Sequence, residues 1–509
     1  MRTSKAVRFF DFSGGQNSKS PVTSLDFNEA IECDNIVLYG TLEGSGFEKR
    51  RGNSVLNSSA MGTSKAVNGL GYFRKADASD FIVATCDSKI FKTDSLDGTM
   101  DEITGGLTVS DGTNATWTSF TMNNVIVFVG GAPNAPFTYS GSGNAAALGG
   151  TPPNGNFGLT ANNRAFIGNT SAAPSTIYWS ILGDHTDWSG TGSGNTNVSQ
   201  SDGDVLIGGA QLGIDHLILF KQNSIHDLAI RTAPFPLFPI RRGANIGAIA
   251  KNAIISVDNM IYYITPEPRM KATDGNKIYD FPNKIDDVWD GLNKTYLKYA
   301  CGVYYPRLRQ IWWMVPNGTS TTNNLCIVWD LVRNCWLKYS TGYKMNLMVL
   351  AQDRYAYGGA FDGKIYLQDV ASRYYDASET SQNIKALWRS GWYDVGSLIQ
   401  GKVVPYVKLN FVEQTSGVFT FSYGYNFSQD RKSESINMSA SSSSLWGAPS
   451  QWGVMKWGGQ DDKSKIIFTK GNGEVFQYAI KCDSINDYLK FNGLEIPIRL
   501  ASPEAMKVS

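Results

Sequence analysis

Three histidines, His185, His216 and His226, are all the near-neutral acid–base groups in this 509-residue chain. His216 and His226 lie on the two strands of one expected hairpin, beside Asp215 and Asp227. Two imidazoles brought together this way could begin a metal site. A metal centre needs three or four ligands in ordered geometry, however, and no third is in view. They read as polar residues at strand ends. Asp184-His185-Thr186-Asp187 reads as a solvated turn in a glycine-rich loop. No metal and no cofactor is expected.

Other chemistry is equally thin. GxxxxGK[ST], HExxH, GxSxG and EF-hand patterns are missing. GLGYF at Gly69 and GTGSG at Gly190 are glycine-rich, yet neither follows a strand and opens a helix; both read as loops. SLDGTMDEI at Ser95 resembles an Asp-box turn of sialidase propellers but occurs once, without the Gly and Trp placement, and reads as a hairpin turn. Trp329-Asp330 matches the WD dipeptide of another propeller family, again once and without its Gly-His partner. No catalytic residues are assigned, and no enzyme activity is expected.

The remaining candidates are contact residues. Lys49-Arg50-Arg51 is a basic cluster near the N-terminus, suited to a phosphate or to a carboxylate on another subunit. Arg241-Arg242 follows the loop Ala233 to Ile240, APFPLFPI. Three prolines there bar an inner strand, so Phe235, Leu237 and Phe238 are expected on a stiff apolar loop open to partners. Six scattered cysteines with no CxxC read as buried thiols of a reducing compartment. Cys326 and Cys335 are the close pair that a hairpin could bring face to face.

These residues need elements to hold them. Aromatics at 12%, 52 glycines and only 18% charged residues describe an all-β chain rich in turns. The net charge of +1 gives no basic stripe for sequence-independent nucleic-acid binding. FIVATCDSKIFKTD, from Phe81, is an apolar run, a polar turn and a return strand. Similar units recur near Val125, Ala165, Leu217, Ala253, Ile311 and Tyr355, about 46 residues apart on average, close to the period of propeller blades. Lone hairpins cannot bury an apolar face; stacking them radially does. Residues 61–375 are therefore read as a degenerate six- or seven-bladed β-propeller. Residues 376–509 alternate with period two and read as an antiparallel β-sandwich of five to seven strands. Residues 1–60 read as an arm with one strand at Asn35 to Tyr39, docking on the sandwich or on a neighbouring subunit. Lys284 to Leu297 has room for a short helix. MRTSKAVRFFDFSGG lacks the apolar core of a secretory leader, and no apolar run approaches the roughly 18 residues of a membrane span. A soluble chain is expected.

Three stretches carry a likeness to a known family. They are NEAIECDNIVLYGTLEGSGFEKRRGN near the N-terminus, GIDHLILFKQNSIHDLAI with FPIRRGANIGAIAKNAIISVDNMIYYIT in the middle, and Trp388 to Leu500 with its Trp-Gly loops. In order and texture the chain resembles the tail-hub, or tail-nozzle, proteins of short-tailed bacteriophages, also called packaged-DNA stabilisation proteins. The resemblance covers most of the chain and rests on architecture, not on one diagnostic motif. It implies a structural, non-enzymatic virion protein assembled in the host bacterial cytoplasm. Its copies would form a hexameric ring below the portal and adaptor, carry fibres or spikes, and pass double-stranded DNA without sequence-specific binding. On that reading Lys49, Arg50 and Arg51 make assembly contacts, while Phe235, Leu237, Phe238, Arg241 and Arg242 line or gate the channel. The alternative is a propeller that binds a host receptor or depolymerises a glycan, using aromatics such as Trp179, Trp188, Trp312 and Trp313. A cellular propeller scaffold is a third reading. Trp312 and Trp313 are neighbours on one strand and point to opposite faces, so at least one belongs to the core.

Overall fold

The structure is a computed structural model describing residues 5–41, 44–94, 96–110, 115–199, 202–230, 239–244, 246–378, 382–394, 399–414, 416–439, 462–485 and 487–500. Its centre, among the described residues, is a ring of seven four-stranded antiparallel sheets, the blades of a propeller. Their inner strands are Val67–Arg74, Thr118–Met122, Gly155–Ala161, Leu206–Leu212, Ile255–Val257, Cys301–Tyr305 and Met345–Leu350. Each packs against the next, and the seventh packs back against the first.

Local chemistry explains the blades. In blade 1, Asp80–Cys86 and Lys89–Asp94 are joined by Asp87 and Ser88, both with positive φ (52° and 60°). That turn matches the right-handed twist of paired strands. Asp258 and Asn259 do the same in blade 5. Middle strands read as unbroken apolar runs because neighbouring blades cover both faces. Gln310–Val315 is buried at all six positions. Trp312 stacks on Tyr305 at 4.3 Å, while Trp313 turns the other way and donates Nε1–H to Ala253 O at 3.2 Å. Both tryptophans are core.

The glycine-rich GLGYF segment belongs to the inner strand Val67–Arg74, not to a loop. Inner strands crowd as they converge on the axis. A Cβ on Gly71 would stand 2.6 Å from Ile126 and 2.7 Å from Ser119 of blade 2. The glycine marks close approach of two blades, which an absent helix signal could not distinguish from a turn.

Blade 7 is completed from the other end of the sequence. Its outer strand is Ser54–Val55, paired with Ile365–Leu367, and Asn57 Oδ1 accepts from Ile365 N at 2.7 Å. The propeller thus takes in residues that the sequence reading placed in the arm. A short helix, Asp286–Asp290, sits inside the stretch with room for one.

The second body is a sandwich woven from both ends of the chain. One sheet runs Ile36–Thr41, Gly44–Lys49, Lys490–Leu500, Tyr406–Val412, Asp462–Phe468, with Lys5–Phe9 and Lys402–Val403 also on Lys490–Leu500. The other runs Gly15–Gln16, Glu29–Asp34, Ala386–Ser390, Phe476–Cys482, Val418–Tyr425, Lys432–Asn437. Between them Trp388 stacks on Phe47 (5.6 Å) and meets Phe12 edge-on (4.9 Å). This core continues without a break into blades 1, 6 and 7 through Leu70, Trp312, Met314 and Met345.

The sandwich lies against the rim of the propeller. Gly15–Gln16, Glu29–Asp34 and Ile36–Thr41 pack on Cys335–Tyr339, the outer strand of blade 6. Gly15 (φ 63°) comes so close that a Cβ would stand 2.9 Å from that of Cys335. One edge of each sheet therefore abuts the propeller. The opposite edges, Asp462–Phe468 and Lys432–Asn437, pair on one side only among the described residues.

Candidate assembly site

Lys49, Arg50 and Arg51 end a sandwich strand at the junction of the two bodies. Arg50 is buried and forms a two-pronged pair with buried Asp376, Nη2 to Oδ2 at 2.6 Å and Nη1 to Oδ1 at 3.0 Å. Its Nε donates to Asn35 Oδ1 (2.9 Å), and Nη2 also reaches Thr341 O (2.7 Å) and Oγ1 (2.9 Å). The guanidinium lies over the rings of Tyr343 (5.1 Å) and Tyr339 (5.6 Å). Burial alone would lower its pKa; Asp376 outweighs burial and holds it raised and charged. Lys49 is buried too, and its Nζ donates to Ser484 O at 2.9 Å. Burial pulls its pKa down.

These two cations are spent inside the chain, because fixing the sandwich to the propeller leaves them no water to face. That leaves Arg51, half-buried, as the member of the trio within reach of solvent. It lines a cavity of about 210 Å³ at the junction with Glu48, Arg307 and Asp369. Asp376 had no signal of its own in the sequence. It lies in a polar linker, and only the fold brings it to a residue 326 positions away.

Arg241 and Arg242 are exposed on Pro239–Ala244, the outer strand of blade 4. Arg242 Nη2 donates to Asp227 Oδ2 at 2.7 Å, and His216 Nδ1 stands 2.9 Å from Asp227 Oδ1. His226 is buried with Nε2 3.0 Å from Ser224 Oγ, and burial lowers its pKa to about 4. The two histidines make separate bonds. Among the described residues, no three His, Cys, Asp or Glu side chains are grouped to hold a metal ion. Phe235, Leu237 and Phe238 lie outside the described residues.

All six cysteines are free and buried. Cys326 lies opposite Tyr339, and Cys335 opposite Asp330, so the hairpin sets them out of register. Burial pushes both thiols up, away from the reactive thiolate.

The sequence reading missed the free sandwich edges. Asp462–Phe468 exposes Ile466 (48%) and Phe468 (76%) on one face, and the Phe468 ring meets that of Tyr406 at 6.4 Å. Lys432–Asn437 exposes every position but Ile436. The motif KIIF resembles any half-buried strand; only the sheet order shows that no further strand among the described residues follows it. Among the described residues, no helix is long and apolar enough to cross a membrane.

No protein-family model and no curated protein matches the chain. Solved structures similar to it include three propellers. The WD40 β-propeller domain of Doa1 is 8% identical, covering 62% of this chain and 96% of that one, with a TM-score of 0.41. YCF48 from Cyanidioschyzon merolae is 10% identical, over 61% and 98%, with a TM-score of 0.39. An inactive virginiamycin B lyase from Staphylococcus aureus with quinupristin is 11% identical, over 62% and 98%, with a TM-score of 0.40.

Proposed function

We propose that the chain is a structural subunit of the tail hub of a short-tailed bacteriophage, acting by assembly rather than catalysis. The observation that carries this reading is the polarity of the sandwich. One edge of each sheet is sealed against blade 6, and among the described residues the other edge has no further strand, with Phe468 and Ile466 beside it. Open edges present unsatisfied N–H and C=O groups that accept a neighbour. A closed ring of identical subunits needs such a heterologous surface on every copy.

In this reading the hexamer rests on a rigid two-body subunit, because one continuous core joins sandwich and propeller. The adaptor and portal lie above the ring, and fibres or spikes attach at its sides. DNA passes through the lumen between copies, not through a propeller, where Lys251 ties the start of blade 5 to Thr116 beside blade 2 and to Asn156 of blade 3.

Mass photometry with negative-stain imaging of the purified chain, alone and with neighbouring tail components, tests the proposal. A six-fold ring with an axial hole is expected, lost on combining Ile466→Lys with Phe468→Lys. A persistent monomer or trimer that binds or degrades polysaccharide would overturn it.

A further inference from the structure

A cation drawn partly out of water without a carboxylate beside it finds compensating charge elsewhere or gives up its proton more readily. Arg50 has Asp376, and buried Lys221 has Asp202 at 2.5 Å. Lys251 has neither kind of partner among the described residues. It stands at the start of blade 5 and reaches across one mouth of the propeller channel. Its Nζ donates to Thr116 O (2.7 Å) beside blade 2 and to Asn156 O (2.7 Å) and Oδ1 (3.0 Å) of blade 3. All three acceptors are neutral.

The same mouth holds a cavity of about 400 Å³ whose wall includes Lys298, Asn134 and Tyr299. Lys298 is exposed and has no ion pair among the described residues; its ammonium rests 5.1 Å from the Tyr299 ring centre. Asn134 Oδ1 accepts from Ser110 N (2.8 Å) and Oγ (2.6 Å). Its Nδ2 makes no hydrogen bond among the described residues and remains a donor. A concave wall with two cations, an amide donor and no described carboxylate is suited to an anion with several oxygens.

We propose that this channel mouth binds a phosphate-type oxyanion, gripped by Lys298 and Asn134 beside the ammonium of Lys251. The anion is a free phosphate or phosphomonoester, or a phosphate of a nucleic-acid backbone. The site belongs to one chain and does not depend on ring formation.

Isothermal titration of the full chain with inorganic phosphate, in phosphate-free zwitterionic buffer, is the test; a short DNA duplex forms a second arm. Saturable phosphate binding is expected, weakened about tenfold or more by Lys298→Ala, with Arg242→Ala as an unaffected control. Binding of the duplex alone, lost in Lys298→Ala, supports the site with the backbone as the source. Lys251→Met should also weaken binding; should it fail to fold, the exposed Lys298 still decides. Binding takes up a proton near neutral pH, since burial has pushed Lys251 to about 7. Lys298 and Tyr299 are the other titratable groups on the described wall. No saturable binding of either probe, or binding indifferent to Lys298→Ala, would overturn the proposal.

Discussion

Arg50, buried, and Lys251, half-buried, are both cations tied into the fold by hydrogen bonds, and they have been treated in opposite ways. At the junction, Arg50 meets a carboxylate in two-pronged geometry and every N–H finds an acceptor. At the channel mouth, Lys251 meets only neutral oxygens. The two treatments suit two uses of charge. A compensated charge is fixed at all ordinary pH and specifies how two bodies join. An uncompensated one costs stability while protonated and stays responsive to its surroundings.

The sharpest way to break the contrast is to remove half of the compensated pair. Asp376→Ala or Arg50→Met leaves a buried charge alone and should cost about 3–5 kcal/mol in chemical denaturation. A loss under about 1 kcal/mol would mean the pair does not hold the junction. Replacing both, Arg50→Met with Asp376→Leu, should recover most of that loss, because buried pairs often give way to apolar residues at little net cost. A double mutant as unstable as the singles would shift the weight to Asn35 and Thr341.

Lys251 gives a smaller, pH-dependent effect. Its folded pKa, about 7, lies below the unfolded value of about 10.4. Above neutral pH the unfolded chain therefore binds more protons at this site, and stability rises with pH. The gain is complete above the unfolded value and is lost as pH falls to about 7. Relative to Lys251→Met, the wild type should gain up to about 2 kcal/mol between pH 7 and 8.5. Both proteins carry the same buried cysteines, so the difference isolates Lys251. A constant difference across that window would contradict the assignment.

The pair of Arg242, open to solvent, with buried Asp227 sets the lower end of the scale. Arg242→Ala should cost about 1 kcal/mol, because solvent screens the guanidinium and His216 stays on the buried carboxylate. A larger loss would show that His216 and Asp227 depend on it for more than position.

Much of the fold was legible because blades are local. Each hairpin places its own turn chemistry, as at Asp87-Ser88 and Asp258-Asn259, within a dozen residues of the strands it joins. The sandwich was legible in part. Val418–Tyr425 and Phe476–Cys482 alternate clearly, whereas Lys432–Asn437, with one buried position, reads as loop. The arm hid most. Glu29–Asp34 and Ile36–Thr41 are separated by Asn35 (φ 53°), whose side chain binds Arg50, so a single strand was expected where two meet at a pivot. Lys49 and Arg50 were found by type, but their fate depended on partners hundreds of residues away. Lys251 carried no motif at all; its meaning lies in which blades its ammonium touches.

The weaving of both chain ends into one sandwich also sets a clock. Strands from residues 5–49 leave the ribosome first, yet their main partners lie between 386 and 500. At about 5–20 residues per second, they wait roughly 20–90 s for those partners. Ser54–Val55 waits in the same way for blade 7. For most of synthesis the nascent chain is therefore a growing, unclosed row of blades with a leading segment that lacks its long-range partners. A ribosome stalled before residue 386 would leave that segment as the chain's most association-prone part.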